Sequence, residues 1–356
     1  MLEALEDDSR ATYEVYADWL VAQGDPRGEL IHVQLAREAA PENRELATRE
    51  RELIEAHEKS WLPELEHDWF DRKPRVTWRR GFIGRAELGA SYQGASAQGY
   101  AEVARSPLAR FIRELEFHTP YSRHGDGPDD DMIVDALLAS PPPPTLRVFA
   151  LTCGDNQRAW SHLGNIERVY PLLTTVEHLV VDTGRVELGA VALPACHTLR
   201  VINSGMRGHV PRSIAAASWQ HLEQLDLFFG NADYGADCIV GDLAPLLADH
   251  GRFPALKQLG LGGCEFGDDL ARLLVDSPLL PQLATLDLSG STMGTGAAEA
   301  LLAHPDRFAH LQSLDLTANF FSLAEARLLE KLCPSVLVGQ QNEEIPDWGR
   351  YVDGAE

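Results

Sequence analysis

Apolar residues recur at fixed positions along the second two-thirds of the chain. Four segments carry leucine at positions 1, 4 and 6: 222–227, 256–261, 283–288 and 311–316. Leu256, Leu283 and Leu311 begin successive copies that are 27 and 28 residues apart. Alternation within each segment predicts a short strand, and the longer stretch between copies leaves room for a helix. Units of this kind predict a solenoid built by stacking.

Weaker copies precede these four. We align their first apolar positions at Ile112, Leu146, Val176 and Leu199. The short unit from Val176 to Leu199 predicts a helical turn or irregular coil on its outer side. Longer units predict outer helices over 131–139, 243–250, 268–276, 295–303 and 323–332. Residues 336–338 are a candidate last strand, and an acidic, poorly ordered tail is expected over 341–356.

The first 60 residues follow a helical pattern instead. Apolar spacing and turn residues predict helices over 9–23, 27–39 and 41–59, with Pro41 opening the third. Residues 61–110 are predicted to join this unit to the solenoid and to form its irregular first strand, with a turn or bulge at Gly81. The predicted division is therefore a helical unit (1–60), a joining segment and cap (61–110), repeats (111–340) and a tail (341–356).

A dense motif spans residues 16–34, from the first predicted helix into the second. Tyr16-Ala17-Asp18-Trp19-Leu20 is followed by Gly24-Asp25-Pro26-Arg27-Gly28-Glu29-Leu30-Ile31 and by Gln34. This motif resembles the bacterial repeat-companion domain, which typically stands at the N-terminus of repeat proteins and has no established catalytic activity. His32 and Val33 depart from the family pattern, in which a basic residue and leucine are more usual.

The motif has a structural and a functional interpretation. In the structural one, Tyr16, Trp19 and Leu20 are apolar anchors, Asp18 pairs with Arg27 or Glu29, and Gly28 permits a close approach. In the functional one, Asp18, Arg27, Glu29 and His32 form a polar site. We favour the structural interpretation, because no pairing of a nucleophile with a base is evident.

The repeated leucine segments resemble leucine-rich repeats of the ribonuclease-inhibitor type. This resemblance implies an α/β solenoid, with parallel strands on a concave face and helices or irregular turns on the convex face, after a small all-α domain. It also implies that a protein binds on the concave face, and it implies no chemistry.

Strand geometry selects the residues of that face. If positions 4 and 6 are buried, positions 3, 5 and 7 face outward. The candidate partner-binding residues are Glu114, Glu116, His178, Asp182, Gln224, Asp226, Phe228, Asp287 and Asp315. The acidic residues at position 5 have two interpretations that stay open, a partner site or solubility with loop bonding. Phe228 is either an exposed anchor or packs against Phe229 or a neighbouring unit.

Composition narrows the classes of partner. With 54 acidic and 31 basic residues, the formal net charge of −23 argues against nucleic acid and anionic membranes. The charge favours either a basic protein partner or simple solubility. Five scattered cysteines form no disulfide or zinc pattern, and neither a signal peptide nor a transmembrane run is evident. A reducing, cytoplasmic location is therefore expected.

Catalytic and nucleotide-binding motifs are missing. The sequence contains no P-loop, no G-x-S-x-G and no H-E-x-x-H. The loop from His118 to Asp131 is the best metal candidate, yet its spacing matches no known pattern and a solvated loop is the preferred interpretation. Cys264 and Asn319, at position 9 of their units, are interpreted as structural. No cofactor or metal is predicted.

The sequence thus predicts a non-catalytic protein-interaction module. The alternative is an inhibitor or recruiter of a specific enzyme, and a metal-dependent hydrolase that uses the His118–Asp131 loop ranks third. The oligomeric state stays open.

Overall fold

The computed structural model describes residue 5 and residues 7–62, 74–89, 94–119, 131–153, 158–346 and 349–352. Most of the candidate metal loop, residues 120–130, lies outside these ranges, as do the residues 63–73 of the predicted join.

Three helices form an N-terminal helical unit: α1 Arg10–Ala22, α2 Arg27–Ala39 and α3 Arg44–Trp61. The side chain of Ser9 caps α1 by accepting from the amide of Thr12. Helix α3 begins after Asn43, whose side chain accepts from the amides of Glu45 and Leu46. The predicted start at Pro41 is therefore wrong, because the helix begins where a side chain satisfies its first amides.

Strands account for most of the remaining architecture. In chain order they are β1 Arg75–Arg79, β2 Phe82–Leu88, β3 Glu114–His118, β4 Val148–Thr152, β5 His162–Asn165, β6 His178–Thr183, β7 Arg185–Glu187, β8 Thr198–Asn203, β9 Gln224–Phe228, β10 Gln258–Gly262, β11 Thr285–Asp287, β12 Ser313–Asp315 and β13 Val336–Leu337. Within the described residues, eleven strands form one sheet in chain order, and β5 and β7 form a separate two-stranded sheet. The pair β1–β2 is antiparallel, with its turn at Arg80 and Gly81, and the later strands are parallel to their neighbours.

Helices connect most of the parallel strands. They are α4 Ala95–Arg105, α5 Met132–Ala139, α6 His209–Ala216, α7 Val240–Leu247, α8 Gly267–Val275, α9 Thr295–Ala303 and α10 Leu323–Leu329. Two of them, α4 and α6, were not predicted. Pro211 lies in the first turn of α6, where its missing amide is tolerated, so the proline did not exclude a helix there. The result is a leucine-rich-repeat-like α/β fold, solenoid-like in its strand order.

The strand register corrects the alignment of one unit. Leu199 pairs with Leu225, so it occupies position 4 of its unit and not position 1. Position 1 is Cys196, which is only 1% exposed. A free cysteine behaves as a small apolar residue, so it fills the site that leucine occupies elsewhere. In the same way Leu314 pairs with Val336, which places buried Cys333 at position 1 of the last unit.

The two ends of the sheet are covered differently. At the N-terminal end, the ring of Phe82 on β2 packs against Tyr16 and Phe111. Asp8 pairs with Arg79 and Arg113, which joins the helical unit to the sheet. Because β2 pairs in parallel with β3, the repeating arrangement begins within the predicted joining segment.

The C-terminal end is covered by the predicted tail. The amide of Asn342 donates to the carbonyl of Asn319, and Arg350 donates to Asp268 and to the carbonyl of Thr292. Tyr351 packs edge-on against Phe320. The described part of the tail is therefore a cap on the last units, which differs from the poorly ordered tail that was expected. None of the described helices has the length and apolarity needed to cross a lipid bilayer.

Candidate functional site

The outward side of the large sheet, formed by positions 3, 5 and 7 of its strands, is called the strand face here. On β9, Leu225 and Leu227 are buried, whereas Gln224, Asp226 and Phe228 are half-buried. The predicted alternation is therefore confirmed on this strand. The row of position-5 residues runs through Glu87, Glu116, Ala150, Val180, Arg200, Asp226, Gly260, Asp287 and Asp315.

Acidic residues on the N-terminal part of the strand face are largely neutralised. Glu116 accepts from Arg85 at 2.7 Å and from Thr152 at 3.0 Å, and His118 Nε2 lies 3.3 Å from it. Hydrogen bonds from His118 and Arg85 lower the pKa of Glu116 to about 2, although burial opposes the shift. The Glu116 carboxylate is therefore already bonded to side chains of the strand face itself. Glu114 on the same strand is exposed.

Two further predicted residues lie on β6. Asp182 forms an ion pair with Arg158, which reaches it from a short helix beside the strand. His178 is half-buried between Val148 and Thr198 of the neighbouring strands. The cations Arg85 and Arg158 were not predicted, because neither lies on one of the aligned leucine-patterned strands.

A depression interrupts the strand face between β8 and β11. Gly260 stands in register with Asp226 on one side and Asp287 on the other, and Gly262 stands beside Phe228. The two glycines leave a hollow of about 420 Å³ where the neighbouring strands carry side chains. This Gly260 depression is lined by Arg200, Ile202, Gln224, Asp226, Leu227, Phe228, Gln258, Leu259, Gly260, Gly262, Thr285, Asp287 and Ser289.

Asp226 is the most constrained carboxylate of the depression. It accepts from Gln224 Nε2 at 2.6 Å, and Arg200 Nε lies 3.5 Å away. Burial raises the pKa of Asp226, the nearby Asp287 adds to the rise, and Gln224 and Arg200 oppose it. Its charged form is therefore incompletely compensated in this structure. Arg200 was not predicted on the strand face, because Leu199 and not Cys196 had been aligned as position 1 of this unit.

Phe228 packs on the neighbouring unit, one of its two predicted alternatives. A Cβ atom on Gly263 would lie 2.4 Å from two carbons of the Phe228 ring. Gly263 also has φ +63, a conformation that favours glycine. The ring is half-buried over this exit turn and forms one wall of the depression.

Asp287 and Asp315 accept hydrogen bonds from the turns that follow their own strands. Each accepts from the amide two residues further on, Ser289 and Thr317 respectively, at 2.9 Å. These bonds support the loop-bonding interpretation of position 5 in the last units. Asp287 nevertheless remains exposed at the edge of the Gly260 depression.

The apolar part of the N-terminal motif is placed only partly as predicted. Tyr16 is buried and stacks on Phe82, but Trp19 is 45% exposed and stacks on Tyr16 from outside. The predicted anchoring role of Trp19 is therefore wrong, because its helix position faces solvent. At Gly28 a Cβ atom would lie 2.6 Å from the carbonyl oxygen of Ala17, so the predicted close approach of α1 and α2 is confirmed.

The polar residues of the motif pair differently from the prediction. Asp18 lies 3.0 Å from His32, Arg27 pairs with Asp25, and Glu29 pairs with Arg49 at 2.6 Å. Pro26 precedes the first residue of α2. The predicted contact of Asp18 with Arg27 or Glu29 does not form, because each residue has a nearer partner. The four residues therefore do not converge on one polar site.

The described residues offer little for metal or thiol chemistry. They contain no group of three His, Cys, Asp or Glu side chains able to hold a metal ion. None of the five cysteines forms a disulfide, all five are buried, and burial raises the pKa of Cys264 to about 12. Asn319 Nδ2 donates to the carbonyls of Leu288 and Leu316, which confirms its predicted structural role.

Comparisons with known proteins show a similarity of fold alone. No family model matches the chain, and no curated protein matches its sequence. A crystal structure of a Bacteroides fragilis protein is similar, with a TM-score of 0.64 and 20% identity over 86% of both chains. An internalin from Listeria monocytogenes aligns with a TM-score of 0.33 and 14% identity over 68% of this chain and 69% of that one. The second value is too low to support an argument.

Proposed function

We propose that the protein is a non-catalytic binding module that holds a protein partner on the strand face. The observation that carries this proposal is the Gly260 depression, where the strand face becomes hollow between two carboxylates. A side chain of the partner enters above Gly260, and a lysine or arginine fits best between Asp226 and Asp287. The repeated leucine segments resemble leucine-rich repeats and residues 9–34 resemble a repeat-companion domain, and the proposed role is that of such proteins.

The electrostatics of Asp226 favour a cation at this point. Burial makes the charged carboxylate costly, and its cationic neighbour Arg200 is 48% exposed, so water screens it. A partner ammonium or guanidinium group that excludes water from the depression would offset this cost. The net charge of −23 also attracts a basic partner at long range, and salt reduces that attraction beyond roughly 8 Å.

A substitution that fills the Gly260 depression without changing its charge tests how much its shape contributes to partner binding. In Gly260→Leu, the new Cβ would meet Asp226 Oδ1 at 2.6 Å, a side-chain atom that can move aside. Ala150→Leu is the matched control, because Ala150 holds position 5 on β4, away from the depression. Each purified variant is used to capture partners from a lysate of the source organism, and captured proteins are identified by mass spectrometry.

We expect a partner that wild type and Ala150→Leu retain and that Gly260→Leu loses. Asp226→Asn with Asp287→Asn should weaken its retention and reduce the salt dependence. Retention by Gly260→Leu equal to that of wild type would refute a role for the depression. Retention that survives the loss of both charges would refute the basic partner.

The N-terminal helical unit is proposed to seal the first strands and to leave the strand face open. The pairing of Asp8 with Arg79 and Arg113, and the packing of Phe82 against Tyr16, support this role. The buried free thiols support a reducing, cytoplasmic location as part of the proposal. Deleting residues 1–43 should expose Phe82 and lower solubility, whereas unchanged solubility and stability would contradict the sealing role.

A further inference from the structure

A second concave surface lies at the edge of the sheet, where β3 and β4 begin. This edge groove has a volume of about 680 Å³. One wall is the end of α4 with the short helix Pro107–Phe111, and the other is the proline run 141–144 before β4. The groove is separate from the Gly260 depression and shares none of its residues.

The walls of the edge groove are held in place before any ligand arrives. Tyr100 Oη donates to the carbonyl of Ser140 at 2.6 Å, and Thr145 Oγ1 donates to the carbonyl of Ile112 at 2.8 Å. Pro142 is buried, and proline has little backbone freedom to lose. A ligand therefore meets a preorganised surface and does not have to order it.

The charge of the groove is opposite to that of the whole protein. Arg105, Arg110 and Arg147 line it, and none of the described residues lining it is acidic. Arg105 is exposed and has no ion-pair partner in the described part of the chain. Arg110 lies over the ring of Phe111, and Arg147 pairs with Glu177 while donating to the carbonyl of Pro144. The floor is apolar, with Phe111 and Ile112 almost fully buried.

We propose that the edge groove binds an extended acidic peptide segment of a partner protein. A carboxylate of the segment faces the guanidinium group of Arg105, and a neighbouring apolar side chain of the segment covers Phe111. Charge complementarity selects this occupant, because arginines on the rim of an apolar floor match alternating acidic and apolar residues. The inference does not depend on the strand face being a binding surface.

The test uses a defined probe. A fluorescein-labelled peptide, Glu-Pro-Leu-Glu-Pro-Leu-Glu, is kept extended by its prolines, and its binding is measured by fluorescence anisotropy. The same peptide with Gln for Glu, and a single-stranded RNA oligonucleotide, are the comparison ligands. We expect the acidic peptide to bind with a Kd below about 1 mM and at least about tenfold more tightly than the Gln peptide.

Two substitutions and a matched control locate the binding site. Arg105→Glu should weaken binding by about tenfold or more, because a charge-assisted hydrogen bond is replaced by repulsion. Ala104→Leu, which narrows the groove without changing charge, should also weaken it. Arg327→Glu is the control, since Arg327 is likewise an exposed helical arginine with no ion-pair partner in the described part of the chain. It should change the Kd by less than about twofold.

Three outcomes would overturn the inference. The first is no measurable binding of the acidic peptide, or tighter binding of the RNA. The second is an Arg105→Glu variant that binds like wild type. The third is an equal loss in Arg327→Glu, which would show only a general effect of net charge. Gly260→Leu should leave probe binding unchanged, so failure here and failure of the strand-face proposal are distinguishable.

Discussion

Two carboxylates at position 5 of the strand face should affect stability in opposite directions. Glu116 has a pKa lowered to about 2 from 4.5, mainly by its bond with His118. Asp226 has a pKa raised above 3.8, mainly by burial. Glu116→Gln should therefore destabilise the protein near pH 7, and Asp226→Asn should stabilise it. Both replacements keep the size of the side chain, so packing changes little.

The magnitude for Glu116 follows from the two pKa values. The difference between 4.5 and about 2, at about 1.36 kcal/mol for each pH unit, corresponds to about 3 kcal/mol. The Glu116 side chain is 21% exposed, and solvent screens part of its interactions, so we expect a loss of about 2 kcal/mol. This stability is present above pH 4.5 and is lost as the pH falls towards 2. For Asp226 the favourable contribution is present below pH 3.8 and is lost as the pH rises through the raised pKa.

Urea denaturation followed by circular dichroism from pH 3 to pH 8 measures both effects. The difference between wild type and Glu116→Gln should shrink as the solution becomes acidic, and so should the advantage of Asp226→Asn. Each variant is compared with wild type at the same pH, because the other carboxylates titrate alike in both. Effects of the same sign at pH 7, or differences independent of pH, would refute the assignment of opposite environments to the two residues.

Three further outcomes are expected. Asn319→Ala should cost about 2–6 kcal/mol in urea unfolding, because the amide of Met293 and the carbonyl of Leu288 lose their bonds to Asn319 in the core. The partly exposed Asn342→Ala is its control, and a similar cost in both would contradict the argument. Arg350→Ala should speed hydrogen exchange over residues 341–346 and 349–352, since Arg350 bonds to Asp268 and ties these residues to the last units; unchanged exchange would contradict this. The buried thiols should resist Ellman's reagent at pH 8 until the protein unfolds, because a pKa of about 12 for Cys264 leaves roughly one thiolate in ten thousand. Rapid reaction of all five in the native protein would be the contrary result.

Local patterns anticipated most of the secondary structure. The leucine spacing around Leu225, Leu259, Leu286 and Leu314 placed their strands in register, because alternation and a regular repeat length are properties of the sequence. Helix α9 was predicted at its observed bounds. The alignment was wrong where another residue type occupied the position of leucine, as at Cys196, and helix α6, which follows in the same unit, was not predicted.

The candidate site depended on information that local patterns lack. The sequence identified Asp226 and Asp287 as outward residues, but not that Gly260 separates them. It also predicted an acidic face without the cations that neutralise much of it. Arg85 reaches Glu116 from the preceding strand, and such contacts join residues that are about 30 positions apart.

The sequence by itself determined the repeating strand-and-helix plan, the excess of negative charge and the alternation that exposes one side of each strand. Only the tertiary structure decided which outward side chains meet, which carboxylates are neutralised and where the face becomes hollow. The physical reason is that periodicity and charge are local or additive properties. Burial, ion pairing and a cavity depend on the distances between separate units, and these are fixed when the units stack.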